Sequence, residues 1–132
     1  MSQENVRLVR NAYDAWNEGD VDGQLATLHP ESEWVTSGVF PGLDPVYRGH
    51  DGYRKFWDDF RGTFESLHIE VEDLRDCGER VVALLTFDAR GRDGLQVRRQ
   101  AANVFSFRDG LLVRVEGYGD WAEALEAVGL SE

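Results

Sequence analysis

The sequence holds one cysteine, one methionine, three prolines and one lysine in 132 residues. Cys77 has no partner for a disulfide within the chain, and no Cys-x-x-Cys pair offers a redox or zinc motif. No apolar run approaches the roughly 20 residues of a membrane-spanning helix. Nothing after Met1 reads as a signal peptide, because residues 2–10 are polar and already helical in pattern. The expected location is therefore the cytoplasm. Basic charge is scarce as well: 14 basic residues stand against 25 acidic ones, for a net charge of -11, and Lys55 is the only lysine. Nucleic-acid binding depends on clustered Lys and Arg that neutralise phosphates, so neither nucleic acid nor an anionic membrane is an expected partner. The acidic surplus reads as a solvated surface. His29, His50 and His68 fall on separate elements with no ligand spacing between them, so no metal is expected. Phosphate loops, dinucleotide fingerprints and nucleophile elbows are absent too, and no cofactor is expected.

What is present is the pattern of one domain over residues 1–132, with 42% hydrophobic residues. A chain of this size buries roughly two thirds of its unfolded surface and needs no staple. Residues 3–17 read as a helix capped by Ser2, with Val6, Val9, Tyr13 and Trp16 on one face and Gly19 at its end. Asp20 caps a short second helix that carries Leu25 and Leu28 inward and closes at Pro30. Residues 33–36 form a short strand around Trp34, and residues 37–47, with Gly38, Pro41, Gly42 and Pro45, form a loop. A helix follows Gly49, with Asp51 as its cap and an aromatic stripe of Tyr53, Phe56, Trp57, Phe60 and Phe64. The period then changes to two. Strands are expected over residues 67–72, 80–89, 95–107 and 111–118, with Asp109-Gly110 as a two-residue hairpin turn. Asp120 caps a last helix, with Trp121, Leu125 and Val128 on one face and Gly129 at its end. Helices packed on one face of such a sheet make an α+β layer fold, here a curved antiparallel sheet that forms a cone around three helices.

Four signatures in order carry a family resemblance. They are Tyr13-Asp14-Ala15-Trp16-Asn17-Glu18-Gly19-Asp20, then Leu28-His29-Pro30-Glu31 leading to Trp34. Tyr47-Arg48-Gly49-His50-Asp51-Gly52 comes next, and the last runs from Val104 through Asp109-Gly110 to Tyr118-Gly119-Asp120. Together they resemble the nuclear transport factor 2-like superfamily and, within it, the SnoaL-like (polyketide cyclase-like) group. The resemblance implies a conical pocket, frequent homodimers, and roles that range from isomerisation, hydrolysis and cyclisation to plain binding. Fold alone does not choose among them.

The known catalytic sets can be tested by position. A ketosteroid-isomerase-like site needs a carboxylate base and two neutral donors. The resemblance places these at Thr36, Asn103 and Ala12, with Tyr13 one helical step away. An epoxide-hydrolase-like site needs two aspartates bridged by arginine, and the resemblance finds Asp88, Thr86 and Gly117. Both sets are incomplete. For a cyclase-like site, Asp88, Glu116 and Asp120 are the available acids, and Asp88 and Asp120 are the catalytic candidates. Capping competes as a role for Asp120, with Glu123 at the reciprocal position. Strand parity puts Arg99, Ala101 and Phe105 on the face of Asn103. The resemblance also turns Val113, Val115, Gly117 and Gly119 inward and Tyr118 outward. The expected pocket wall is Tyr13, Trp16, Trp34, Phe56, Phe60, Arg99, Asn103, Phe105 and Gly117, with Asn103 and Arg99 as its polar pole. The expected occupant is a small apolar molecule with a polar handle. The functional expectation is a small-molecule-binding protein or a cofactor-free isomerase, cyclase or hydrolase. The alternative is a non-catalytic dimeric adaptor working through the outer sheet face. A homodimer is expected in either case.

Overall fold

The computed structural model describes residues 2–36 and 42–130. The Ser2 side chain and residues 37–41 of the expected loop lie outside the described residues. The chain runs α1 (Ser2–Glu18), α2 (Val21–Leu25), β1 (Leu28–Val35), β2 (Val46–Arg48), α3 (Gly49–Arg61), β3 (Phe64–Asp76), β4 (Arg80–Gly91), β5 (Gln96–Arg108), β6 (Leu111–Tyr118) and α4 (Trp121–Ala127). Six strands form one curved sheet in the order β2-β1-β6-β5-β4-β3. The α+β class and the late strand-rich half are as expected. Three details differ. The sheet is mixed, because β1 pairs parallel with β6. The β1 strand begins at Leu28, so Pro30 lies within a strand instead of closing a helix. The expected loop ends early, because Val46–Arg48 pair with Glu33–Val35 as β2.

Local chemistry explains most boundaries. Gly19 takes φ +73° as α1 ends, and Asp20 accepts a hydrogen bond from Gly23 N at 2.9 Å to start α2. Asp109 and Gly110 both take positive φ, as a tight two-residue hairpin turn requires. Asp120 caps α4 by accepting from Ala122 N at 2.7 Å. At the other end Leu130 N reaches Leu125 O and Gly129 N reaches Glu126 O, the paired bonds of a glycine-terminated helix. No side chain caps α3, and Asp51 sits inside its first turn, where its charge still suits the helix dipole. Phe64, placed in the aromatic stripe by spacing, opens β3 instead.

The sheet's two faces hold separate cores. Its concave face packs Val81, Ala83, Leu85, Phe87, Phe105, Leu112 and Val115 against α1 and α3. The other face packs Val82, Leu84, Ala102 and Val104 under Ala124 and Leu125 of α4. Part of this outer face is thus covered by the chain's own last helix. A bulge between Ser106 and Phe107 in the β5–β6 ladder leaves Val113 without a partner and turns Leu112 inward together with Val115. Val113 is therefore not the inward residue that the resemblance implied.

Two side chains tie the helices to the sheet edges. Asn17 donates to Ile69 O at 2.8 Å and accepts from Ile69 N at 2.9 Å, standing in for a neighbouring strand on the free side of β3. His50 Nε2 contacts Leu28 O at 2.9 Å and pins α3 to β1. His29 accepts from Glu31 N at 3.0 Å. Both rings are thus engaged by contacts within the fold. Among the described residues no group of three metal-ligating side chains comes together, and no helix is long and apolar enough to cross a membrane.

Candidate functional site

The helices α1 and α3 do not fill the cone. Between them and the sheet lies a cavity with about 70 Å³ in which the centre of a water-sized sphere can move. One buried water needs only about 10–15 Å³ on that measure, so the space exceeds a packing defect. Helix α1 supplies Tyr13 and Trp16, and α3 supplies Phe56 and Phe60. Trp34 and Thr36 enter from the β1 side, Leu43 from the loop before β2, and Gln24 from α2. The sheet contributes Ile69, Leu85, Phe87, Ala101, Ala102, Asn103, Gly117 and Tyr118.

The wall is aromatic because α3 repeats its large rings at helical spacing. Trp34 stacks on Phe56 at 5.1 Å and Phe56 on Phe60 at 5.4 Å, and Phe60 stacks on Phe87 across to the sheet at 5.4 Å. Trp16 meets Trp57 edge-on at 5.0 Å. Arg61 lies over both indoles, 4.9 and 4.7 Å from the two rings, and donates to Trp16 O at 3.0 Å. The residues that form the wall are therefore locked by ring packing as well as by burial.

One polar pole faces this wall. Asn103 Nδ2 donates to the Tyr13 hydroxyl at 2.7 Å, joining α1 to β5. Burial pushes the Tyr13 phenol well above its ordinary pKa, and the Asn103 hydrogen bond offsets only part of that. Tyr13 is thus a neutral O–H donor, not a base. Asn103 Oδ1 sits where a methyl group added at Gly117 would touch it at 3.5 Å, so Gly117 leaves a methyl-sized space beside the amide oxygen. Two further polar atoms on cavity-lining residues, Trp16 Nε1 and Gln24 Oε1, are buried with no hydrogen-bond partner among the described residues. None of the described lining residues is Asp, Glu, His, Lys or Arg.

Seven residues expected from sequence meet in this cavity: Tyr13, Trp16, Trp34, Phe56, Phe60, Asn103 and Gly117. Phe105 is a correction: it is buried behind the wall, edge-on to Tyr13 at 5.9 Å, and supports the dyad from outside the cavity. Arg99 is another. It shares the inner strand parity, paired with Phe87, but lies in the exposed stretch of β5 beyond the cavity. The partner of Asn103 is Tyr13, not Arg99. The catalytic candidates also lie elsewhere. Asp88 turns to the outer face, where Arg98 and Gln96 meet its carboxylate at 3.2 and 3.4 Å. Asp120 is the exposed cap of α4.

Sequence reasoning missed Gln24 and Leu43, the sheet residues Ile69, Leu85, Phe87 and Ala102, and Tyr118, which was expected outward; Thr36 entered only as a catalytic position. Period-two alternation with Thr86 and Asp88 carries the signal for Leu85 and Phe87. Gln24 has none, because its place depends on the Ala12 carbonyl that holds it. The Thr36 hydroxyl donates to Asp44 O at 2.7 Å, which fixes the segment that carries Leu43.

The SnoaL-like domain profile matches residues 9–115. Among solved structures, a nuclear transport factor 2-like protein of unknown function from Burkholderia pseudomallei is 26% identical, with TM-score 0.83 over 96% of this chain and 98% of that one. TerC, co-crystallised with polyporic acid, is 23% identical with TM-score 0.81, over 95% of this chain and 98% of that one. A putative SnoaL-like polyketide cyclase from Jannaschia sp. CCS1 is 18% identical with TM-score 0.77, over 99% of this chain and 95% of that one. A search of curated proteins found no match.

Proposed function

We propose a binding role for this chain, which belongs to the SnoaL-like domain family. Its cavity takes a small, uncharged, mostly apolar molecule, flat enough to lie along the Trp34–Phe56–Phe60 wall. The ligand's polar handle meets the Tyr13 hydroxyl and the Asn103 amide oxygen. The observation that supports this most is the Tyr13–Asn103 pair set in an apolar cavity whose described lining carries no ionised side chain. A charged ligand would lose its hydration there and gain no counter-ion. TerC was crystallised with polyporic acid, and its similarity in fold is compatible with a small-molecule role here. Calorimetry with a neutral fused aromatic such as 6-methoxy-2-naphthol tests the proposal. Saturable binding is expected, and a carboxylate analogue such as 2-naphthoate is expected to bind at least about tenfold more weakly. Equal binding of the two would overturn the reading.

A second reading, cofactor-free catalysis, draws support from the same pair. A neutral phenol aimed at a carbonyl, held in place by the Asn103 N–H, stabilises developing negative charge without transferring a proton. An enzyme of this kind would show turnover that Tyr13→Phe abolishes without a change in fold. As a third element we propose a homodimer, which light scattering would reveal as twice the 15.0 kDa chain mass.

A further inference from the structure

We propose that Gly117 is a specificity-determining residue of the cavity: its missing side chain keeps Asn103 Oδ1 open as an acceptor, so the ligand's polar handle is a hydroxyl and not a carbonyl. The proposal rests on the binding reading above and adds a specificity to it.

Asn103 and Gly117 are cross-strand partners in the β5–β6 ladder, and both line the cavity. Asn103 Nδ2 is committed to the Tyr13 hydroxyl at 2.7 Å, and among the described residues Oδ1 accepts no hydrogen bond. The enclosed polar atoms that lack partners there are Trp16 Nε1, Gln24 Oε1 and Tyr53 Oη, and Asn103 Oδ1 is not one of them. Asn103 is half-buried on the cavity lining, so its unpaired oxygen keeps surface that an occupant can reach.

The fold itself does not require glycine at position 117. Gly117 lies inside β6 and does not take a left-handed φ. A Cβ built on it would meet Asn103 Oδ1, Thr36 O and Val35 O at 3.5 Å each, which is ordinary van der Waals contact. Alanine would therefore fit. Its methyl group would cover part of Asn103 Oδ1 on the cavity side that Gly117 lines. The same three atoms set the chemistry of the spot, because all of them are acceptor oxygens. A ligand carbonyl over Gly117 would add a fourth acceptor and leave Asn103 Oδ1 unpaired, which binding must carry as a cost. A hydroxyl instead points its proton at Oδ1. The ligand class is a neutral apolar scaffold that donates a hydrogen bond from a hydroxyl at this point.

The test is calorimetric titration of the full chain with 6-methoxy-2-naphthol and with 6-methoxy-2-tetralone, which share a carbon skeleton and carry O–H and C=O at the same position. The wild type is expected to favour the naphthol by about tenfold or more. Gly117→Ala is expected to bring the two within about threefold of each other, with a melting temperature unchanged or slightly raised. Asn103→Leu is expected to remove the preference as well. Equal affinities in the wild type, or a preference for the tetralone, would overturn the proposal and leave the cavity a binding site; the second result would mean that the amide presents its N–H. A preference that survives Gly117→Ala, or a large drop in the melting temperature of that variant, would overturn the role of Gly117. No heat from either probe would overturn the binding reading itself, and this inference with it.

Discussion

Phe87 and Asp88 are neighbours on β4 and belong to opposite sides of one sheet. Inside the cone Phe87 stacks on Phe60, and the nearby polar atoms are neutral and few. Outside, charges pair with one another in a ladder across three strands. Arg48 meets Glu33 at 3.0 Å, and Arg114 meets Glu33 at 2.9 Å and Glu116 at 3.2 Å. Tyr118, at the sheet end where the cavity opens, also reaches Glu116 at 3.4 Å. The outer face pairs many of its polar groups with its own side chains, whereas inside the cone Trp16 Nε1, Gln24 Oε1 and Tyr53 Oη meet no partner among the described residues. The comparison teaches that the acidic surplus and the binding site are separate features. Ionised groups stay where water screens them, and the cavity is furnished only with groups that remain neutral when desolvated.

The largest test of that contrast is steric. Phe105→Ala removes a fully buried ring behind Tyr13 and is expected to cost about 3–5 kcal/mol in urea unfolding. Arg98→Ala, which removes the outer partner of Asp88, is expected to change stability by no more than about 0.5 kcal/mol. Similar losses from the two would break the contrast. The next test is chemical. Asn103→Leu is expected to weaken 6-methoxy-2-naphthol binding about tenfold, while Asp88→Asn leaves it unchanged. A loss of binding from Asp88→Asn would move the site to the outer face. Smaller again is Asp120→Ala, which removes the α4 cap and is expected to cost about 1 kcal/mol with no change in affinity.

Those residues also mark how far the sequence could be read. The order of elements was legible because helical and strand periods differ and because Gly19, Asp109-Gly110 and Gly129 punctuate them. The aromatic wall was legible for the same reason: spacing on α1 and α3 decides which rings share a face. Strand β2 was not, because three residues are too few for a period, and its pairing with β1 is a tertiary event. The parallel β1–β6 contact is equally non-local. The resemblance placed Asn103 at the pocket, where it lies, and parity then placed Arg99 on the same face. Parity names a face and says nothing of where along the strand the cavity ends. Tyr13 as the partner of Asn103 is 90 residues away in sequence, and Gln24 is held by a backbone carbonyl that leaves no trace in sequence.

The smallest effect sharpens the comparison at the rim, where the outer style of pairing reaches the loop beside the cavity. Lys55 bridges Asp44 and Asp59 at 2.9 Å each, and Tyr47 donates to Asp59 at 2.9 Å. Asp44 follows Leu43, which lines the cavity, so this network holds the segment that carries a wall residue. The Lys55 ammonium, followed by the Tyr47 hydroxyl, holds the Asp59 carboxyl below its ordinary pKa. A carboxylate with a depressed folded-state pKa binds protons more readily in the unfolded chain. Its stabilisation is therefore fully present above its ordinary pKa and is lost as pH falls through the lower, folded value. The melting difference between wild type and Asp59→Asn is expected to be small and constant near neutrality, and to fade as pH drops below about 4. Added salt at pH 7 is expected to shrink it too, because Lys55 is exposed and its charge is screened. A difference that grew toward acid, or ignored salt, would show that Asp59 acts by packing and that the rim follows the inner face of the cone.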